Sequence, residues 1–331
     1  MISSLKIGTR GSKLALIQTE MLLEILRINA PDIEAEIVVV KTDGDWSPKQ
    51  GEVRLDPNKG GKGQFISAIE NKLLAGEIDL AVHSLKDVPS DLPDNAAIDH
   101  FLPGGDEHDV FVSDKASSPD DLPAGAVIGT ASLRRQALIQ KNWPDLKVEV
   151  IRGNVPTRME KMKAGQVDGL ILAAAGVQRL GLNRQISCIL EPDLFVPCGG
   201  QGIIAIERRK DSNGITEILN GLCCHKTAMR ALVERGCLAA RGGSCHTPIG
   251  INARQAGSTD DPEIWEINGY SGDPQGRYHY IHKSRSRIKT VTEAWQVGTS
   301  FAKELLTKMD PAHISELGLQ PGLNTPHHER V

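Results

Sequence analysis

Apolar positions along the first part of the chain switch between two periods. Residues 5–9, Leu5-Lys6-Ile7-Gly8-Thr9, form a short strand running into a turn. Apolar Leu14, Ile17, Met21, Leu22, Ile25 and Leu26 then recur at helical spacing. Ser12 stands where that helix needs its N-cap, and Asn29 and Pro31 end it. Residues 33–42 read as a β-rich strand, 64–75 as a helix after a glycine-rich turn, and 78–82 as another apolar strand. Strand, helix, strand in this order sets helices on the face of a mostly parallel sheet.

The same grammar then returns. Ile7-Gly8-Thr9 and Ser12 reappear as Ile128-Gly129-Thr130 and Ser132, and Ala15-Leu16-Ile17-Gln18 recurs unchanged as Ala137-Leu138-Ile139-Gln140. Ala75-Gly76-Glu77-Ile78-Asp79 resembles Ala164-Gly165-Gln166-Val167-Asp168. Unequal spacing excludes a solenoid and predicts two related α/β domains. Beyond about residue 215 the pattern changes to a helix over 215–235, short strands over 248–256, 263–269 and 278–284, and a closing helix over 293–309. These predict a third, smaller α+β domain, followed over 321–331 by an aperiodic, mobile tail.

Composition removes several classes of function. The 331 residues suffice for two or three domains. Lys plus Arg (38) against Asp plus Glu (42) leaves a net charge of -4, and only four Trp, three Tyr and five Phe are present. A broadly basic or base-stacking nucleic-acid binder is therefore not expected, while a local anion site is. No apolar run approaches the roughly 18–20 residues of a membrane span. The N-terminus lacks the basic-then-apolar pattern of a secretory signal, which points to the cytoplasm. Six cysteines, all in the second half, read as reduced thiols rather than as a disulfide scaffold.

Polar residues gather where strands meet helices. Arg10 precedes Ser12, Ser132 precedes Arg134-Arg135, and Arg152-Gly153-Asn154 with Arg158 makes a third basic turn. Helix starts and guanidinium forks both favour carboxylate or phosphate, and ligands collect beyond the carboxyl ends of parallel strands. Taken singly, each arginine is equally well read as a solvent-facing partner in a weak ion pair. Lys59-Gly60-Gly61-Lys62-Gly63-Gln64 lacks the spacing and Lys-Ser/Thr ending of a phosphate loop, and reads as a hinge or ligand-covering loop. The segment 81–89 delivers His83-Ser84-Leu85-Lys86-Asp87 from an apolar strand, so Asp87 is a candidate to hold a developing cation or move a proton. The alternative there is an Asp cap beside a surface lysine. Cys245 lies on the glycine-rich turn Gly242-Gly243-Ser244-Cys245-His246, available for chemistry. Cys223, Cys224, His225 and Cys237 are a competing zinc set without paired knuckle spacing, and Cys188 and Cys198 read as buried thiols.

Over nearly its whole length the chain resembles the porphobilinogen deaminase (hydroxymethylbilane synthase) family. The matching stretches are Gly8-Thr9-Arg10-Gly11-Ser12, Gly60-Gly61-Lys62-Gly63, the run from Ala81 to Pro89, Gly129-Thr130-Ala131-Ser132-Leu133-Arg134-Arg135, Arg152-Gly153-Asn154-Val155-Pro156-Thr157-Arg158, Gly200-Gln201-Gly202 and the Cys245 turn. The resemblance implies two similar periplasmic-binding-protein-like α/β domains around a cleft, plus a smaller α+β C-terminal domain. It sets domain 1 at 1–101 with a return segment at 199–217, domain 2 at 102–198, and the cofactor-carrying domain at 218–320. It also implies head-to-tail condensation of four porphobilinogen molecules with loss of four ammonia, then hydrolytic release of linear hydroxymethylbilane.

In that family picture a dipyrromethane cofactor is held by Cys245 through a thioether and primes the chain. Loss of the aminomethyl nitrogen makes an electrophilic azafulvene, Asp87 holds the pyrrole N–H groups, and Lys86 stands beside it. Arg10, Ser12, Lys62, Ser84, Thr130, Ser132, Arg134, Arg135, Arg152 and Arg158 bind the carboxylates of cofactor and growing pyrrole chain. A monomer is implied, without metal, nucleic acid or membrane, handing its product to uroporphyrinogen-III synthase. Three features depart from the pattern: Asp43 before Gly44, Cys198 beside the Gly200 turn, and the cysteine-rich Cys223-Cys224-His225-Lys226. A binding-only protein would account for the arginines and the repeat but leaves Cys245 without a task.

Overall fold

The first sheet has the order β2-β1-β3-β10-β4. It is built from β1 (Ser4–Arg10), β2 (Glu34–Val40), β3 (Leu80–Ser84), β4 (Ala96–Phe101) and, from much later in the chain, β10 (Ile204–Arg209). The second sheet repeats this plan as β7-β6-β8-β5-β9, from β5 (Asp109–Val112), β6 (Val127–Gly129), β7 (Lys147–Glu149), β8 (Gly169–Ala173) and β9 (Cys188–Leu190). In each, three parallel strands are followed by one antiparallel strand, β10 against β3 and β5 against β8. Those two antiparallel strands are the ones that follow the crossings between lobes. The computed structural model describes residues 2–41, 51–52, 66–89, 92–241, 247–258 and 261–319.

Helices cover the sheets as the apolar periods require. In the first lobe, α1 (Lys13–Asn29) buries Leu22, Leu23 and Leu26 against Leu5, Ile7, Leu80 and Ile204. In the second, α3 (Leu133–Asn142) buries Ala137, Leu138 and Ile139 beside Phe111, Ile128 and Ile171. Both helices start on the serine expected: Ser12 Oγ accepts from Ala15 N–H at 3.3 Å, and Ser132 Oγ from Arg135 N–H at 3.4 Å. The first lobe also holds α2 (Ser67–Leu74), and the second α4 (Val155–Lys163) and α5 (Ala174–Arg179).

The helix expected over 215–235 is two helices, α6 (Asn213–Asn220) and α7 (His225–Arg241). Gly221 caps the first, and Cys224 N–H turns aside to donate to Phe101 O at 2.9 Å. The apolar period runs on through this break and hides it. Beyond it, β11 (Ile249–Gln255), β12 (Ile264–Gly272) and β13 (His279–Arg287) form an antiparallel sheet packed on α7 and α8 (Val291–Thr307). A short α9 (Pro311–Glu316) follows, and the tail expected at 321–331 lies outside the described residues.

The two crossings run side by side. Gly202 O accepts from Gly105 N–H at 3.0 Å and from Arg179 Nη2 at 2.7 Å. α7 grips the same segment: Glu234 Oε2 accepts from Gly200 N–H at 2.6 Å, and Arg230 Nη2 donates to Gln201 O at 2.7 Å. Gly202 has φ +84°, and a Cβ there would sit 2.7 Å from Gly105 O. Gly202→Ala is therefore expected to cost about 1–3 kcal/mol, from left-handed strain plus the clash. A urea unfolding midpoint equal to the parent's would refute this.

Candidate active site in the cleft

The parallel strands β1 and β3 end side by side and deliver Arg10 and Ser84 to one edge. From Ser84 the chain makes a single 3-10 turn, Leu85–Asp87, with Val88 N–H donating to Leu85 O. A cavity of about 100 Å³ is lined here by Arg10, Ser12, Gln18, Ser84, Lys86 and Asp87. Five candidates from the sequence thus meet around one space. Gln18 is the residue the sequence reading missed: its Nε2 donates to Ser84 Oγ at 2.9 Å, and its Oε1 accepts from the same hydroxyl at 3.1 Å. Its only signal was membership in the repeated Ala-Leu-Ile-Gln. Behind the cavity, His83 Nε2 lies 2.8 Å from the fully buried Glu207 of β10. Burial and then the Glu207 charge push the neighbouring Glu70 up to about 6, against the opposing effect of His83.

Across the cleft, β6 ends at Gly129 and leads to Thr130, whose Oγ1 accepts from Ser132 N–H at 3.2 Å. Arg134 and Arg135 are not solvent-facing. They are 4% and 6% exposed and converge on the buried Asp109 at the start of β5, with Arg134 Nη1 2.8 Å and Arg135 Nη2 2.7 Å from its carboxylate. Arg134 Nη1 also donates to Val196 O at 2.7 Å, and Arg135 Nη1 to Ile171 O at 2.8 Å. Gln201 Nε2 adds a bond to Asp109 at 3.2 Å, tying this cluster to the crossing.

Arg152 is 8% exposed, and Arg158 Nε donates to Gly153 O at 2.8 Å. Burial first, then the charges of Arg135 and Arg152, bring the Arg158 guanidinium down to about 10, with Glu52 and Asp87 acting in the opposite sense. Asp87 of the first lobe is thus electrostatically linked to Arg158 of the second. Lys62, Cys245 and Asp43 lie outside the described residues.

Two of the other thiols are poorly suited to chemistry, while Cys188 and Cys198, expected to be buried, are only partly so. Burial pushes Cys237 up to about 12 and Cys223 up to about 11, far from a neutral-pH thiolate. Among the described residues no group of three or more His, Cys, Asp or Glu is arranged to hold a metal ion, and no helix is long and apolar enough to cross a membrane.

Two lobes of matched topology, each gathering polar and charged side chains at its strand ends, define a two-lobed α/β protein. The family described as porphobilinogen deaminase, dipyromethane cofactor binding domain, matches residues 5–217. The porphobilinogen deaminase of Nitrobacter hamburgensis is 44% identical over 302 residues, 90% of this chain and 92% of that one. That of Syntrophomonas wolfei is 40% identical over 313 residues, 95% and 98% of the two chains. Among solved structures, the methionine binding protein MetQ aligns with a TM-score of 0.42 at 14% identity, over 66% of this chain and 90% of that one. The chain belongs to the porphobilinogen deaminase family.

Proposed function

We propose that this chain condenses four porphobilinogen molecules head to tail, releases four ammonia, and liberates linear hydroxymethylbilane with water. The observation that carries the reading is the cavity shared by Arg10, Ser12, Ser84, Lys86 and Asp87, within electrostatic reach of Arg158 in the opposite lobe. In each condensation the substrate's aminomethyl C–N bond breaks and its carbon bonds the free α-carbon of the preceding pyrrole, which then loses its proton. Positive charge develops on a pyrrole nitrogen as ammonia leaves. Asp87 accepts the pyrrole N–H and stabilises that charge, and Lys86 adds a positive group to the same cavity.

A dipyrromethane fits these residues. It carries acetate and propionate groups, and the second lobe gathers the buried guanidiniums of Arg134, Arg135 and Arg152. Arg134 and Arg135 share one carboxylate, and Arg158 feels both Arg135 and Arg152. Such a cluster is relieved by a bound polyanion. Arg10, Ser12, Ser132, Arg152 and Arg158 would hold its carboxylates, Ser84, Thr130 and Lys62 would add donors, and Arg134 with Arg135 would add positive charge behind them. When bound through Cys245, the group supplies a terminal pyrrole with a free α-carbon. The reading carries with it the domain limits 1–101 with 199–217, 102–198 and 218–320, a cytoplasmic monomer, and passage of product to uroporphyrinogen-III synthase.

Intact mass under denaturing conditions, with Cys245→Ser alongside, tests the whole. The parent should exceed its polypeptide mass by one dipyrromethane, and the variant should not. An unmodified parent that gains no substrate-sized steps on adding porphobilinogen would overturn the proposal.

A further inference from the structure

Glu52 reaches from the first lobe into the basic turn of the second. One carboxylate oxygen accepts from the backbone N–H of Arg152 at 2.5 Å, and the other is bonded by Lys161 Nζ. Lys161 Nζ also donates to Arg152 O at 2.9 Å, which fixes the ammonium relative to that N–H. Lys161 is only 12% exposed at its side chain, whereas Glu52 is 34% exposed. The acceptor is thus the more accessible partner, and the donors belong to the frame of α4 and the turn before it.

A backbone N–H, an ammonium and a nearby guanidinium arranged around a carboxylate make a carboxylate-binding site, whichever carboxylate fills it. We propose that the Arg152–Lys161 donor pair is a subsite for a pyrrole carboxylate of the substrate or growing chain, and that Glu52 is its internal substitute. The proposal rests on the function proposed above and adds Lys161, which the sequence reading did not single out. Exchange of one carboxylate for another leaves the charge of the pocket unchanged, and the displaced Glu52 regains water. The shared charge with Arg158 supports this, since Glu52 also acts on that guanidinium. An internal competitor lowers apparent affinity by the fraction of time it holds the site.

The test uses full-length, cofactor-loaded protein at fixed ionic strength. Glu52→Gln should lower KM for porphobilinogen by roughly three- to ten-fold, as expected for removal of a competitor that fills the site most of the time. Lys161→Gln in the Glu52→Gln background should raise KM by about ten-fold or more, with Lys161→Arg restoring part of the loss. Calorimetric titration with citrate, as a polycarboxylate probe, should show the same order of affinities without any turnover. Unchanged or higher KM and unchanged citrate affinity in Glu52→Gln would make Glu52 a brace between lobes and end the proposal. If the parent consumes no porphobilinogen, the enzymatic reading fails while the citrate series still decides the subsite.

Discussion

Asp87→Asn is expected to lower turnover by about 10²–10³-fold while leaving the fold and the cofactor in place. The substitution keeps the shape of the side chain and removes its charge. Removing one group that stabilises charge developing in a transition state costs about this much in other enzymes. Asp87 is partly exposed at the end of its 3-10 turn, where the neighbouring Val88 N–H is already satisfied by Leu85 O. The side chain is only partly buried and the substitution keeps its shape, so stability should change by less than about 1 kcal/mol. The loss should appear in kcat more than in KM, because the anionic groups of porphobilinogen are bound by other residues. Steady-state rates within three-fold of the parent, at equal cofactor mass, would remove Asp87 from the mechanism. Loss of the cofactor mass itself would assign Asp87 to assembly instead.

The parts of this site that could be read from the chain are those made by neighbours in sequence. Ser12 and Ser132 announce themselves because a cap lies next to the helix it serves, and Ser84, Lys86 and Asp87 arrive on one strand and one turn. What could not be read are the partners brought by topology. Asp109 is 25 residues before Arg134 and meets it only because β5 lies antiparallel beside β8. Gln201 and Glu234 act at the crossing from positions 33 residues apart in the chain. The position of β10 in the first sheet had the same character: its apolar run is ordinary, and only the family resemblance anticipated the return. Arg134 and Arg135 illustrate the physical reason. Two adjacent arginines at a helix start look solvent-facing in a linear reading, and burial is supplied by Asp109 and by the Val196 and Ile171 carbonyls.

That buried cluster sets the second large expectation. Asp109→Asn should destabilise the protein by about 3–5 kcal/mol, the usual cost of removing one partner from a buried ion pair. The carboxylate is fully buried, and its loss removes the carboxylate that two adjacent guanidiniums share. Arg135→Met should cost less, because Asp109 then retains Arg134 and the Gln201 amide. The pH dependence gives an independent check. Burial alone would raise the Asp109 carboxyl, but Arg134 and Arg135 override it and hold the group below its ordinary 3.8. A carboxyl depressed in the folded state releases its proton more readily there than in the unfolded chain, so its contribution is present above about pH 3.8 and fades as pH falls through the folded value. Urea midpoints measured from pH 7 down into the acid range should therefore converge for parent and Asp109→Asn at the acid end. Equal midpoints at pH 7 would show that the cluster contributes no net stability. A gap that stayed constant down through the acid range would show that the loss comes from altered packing rather than from the ion pair.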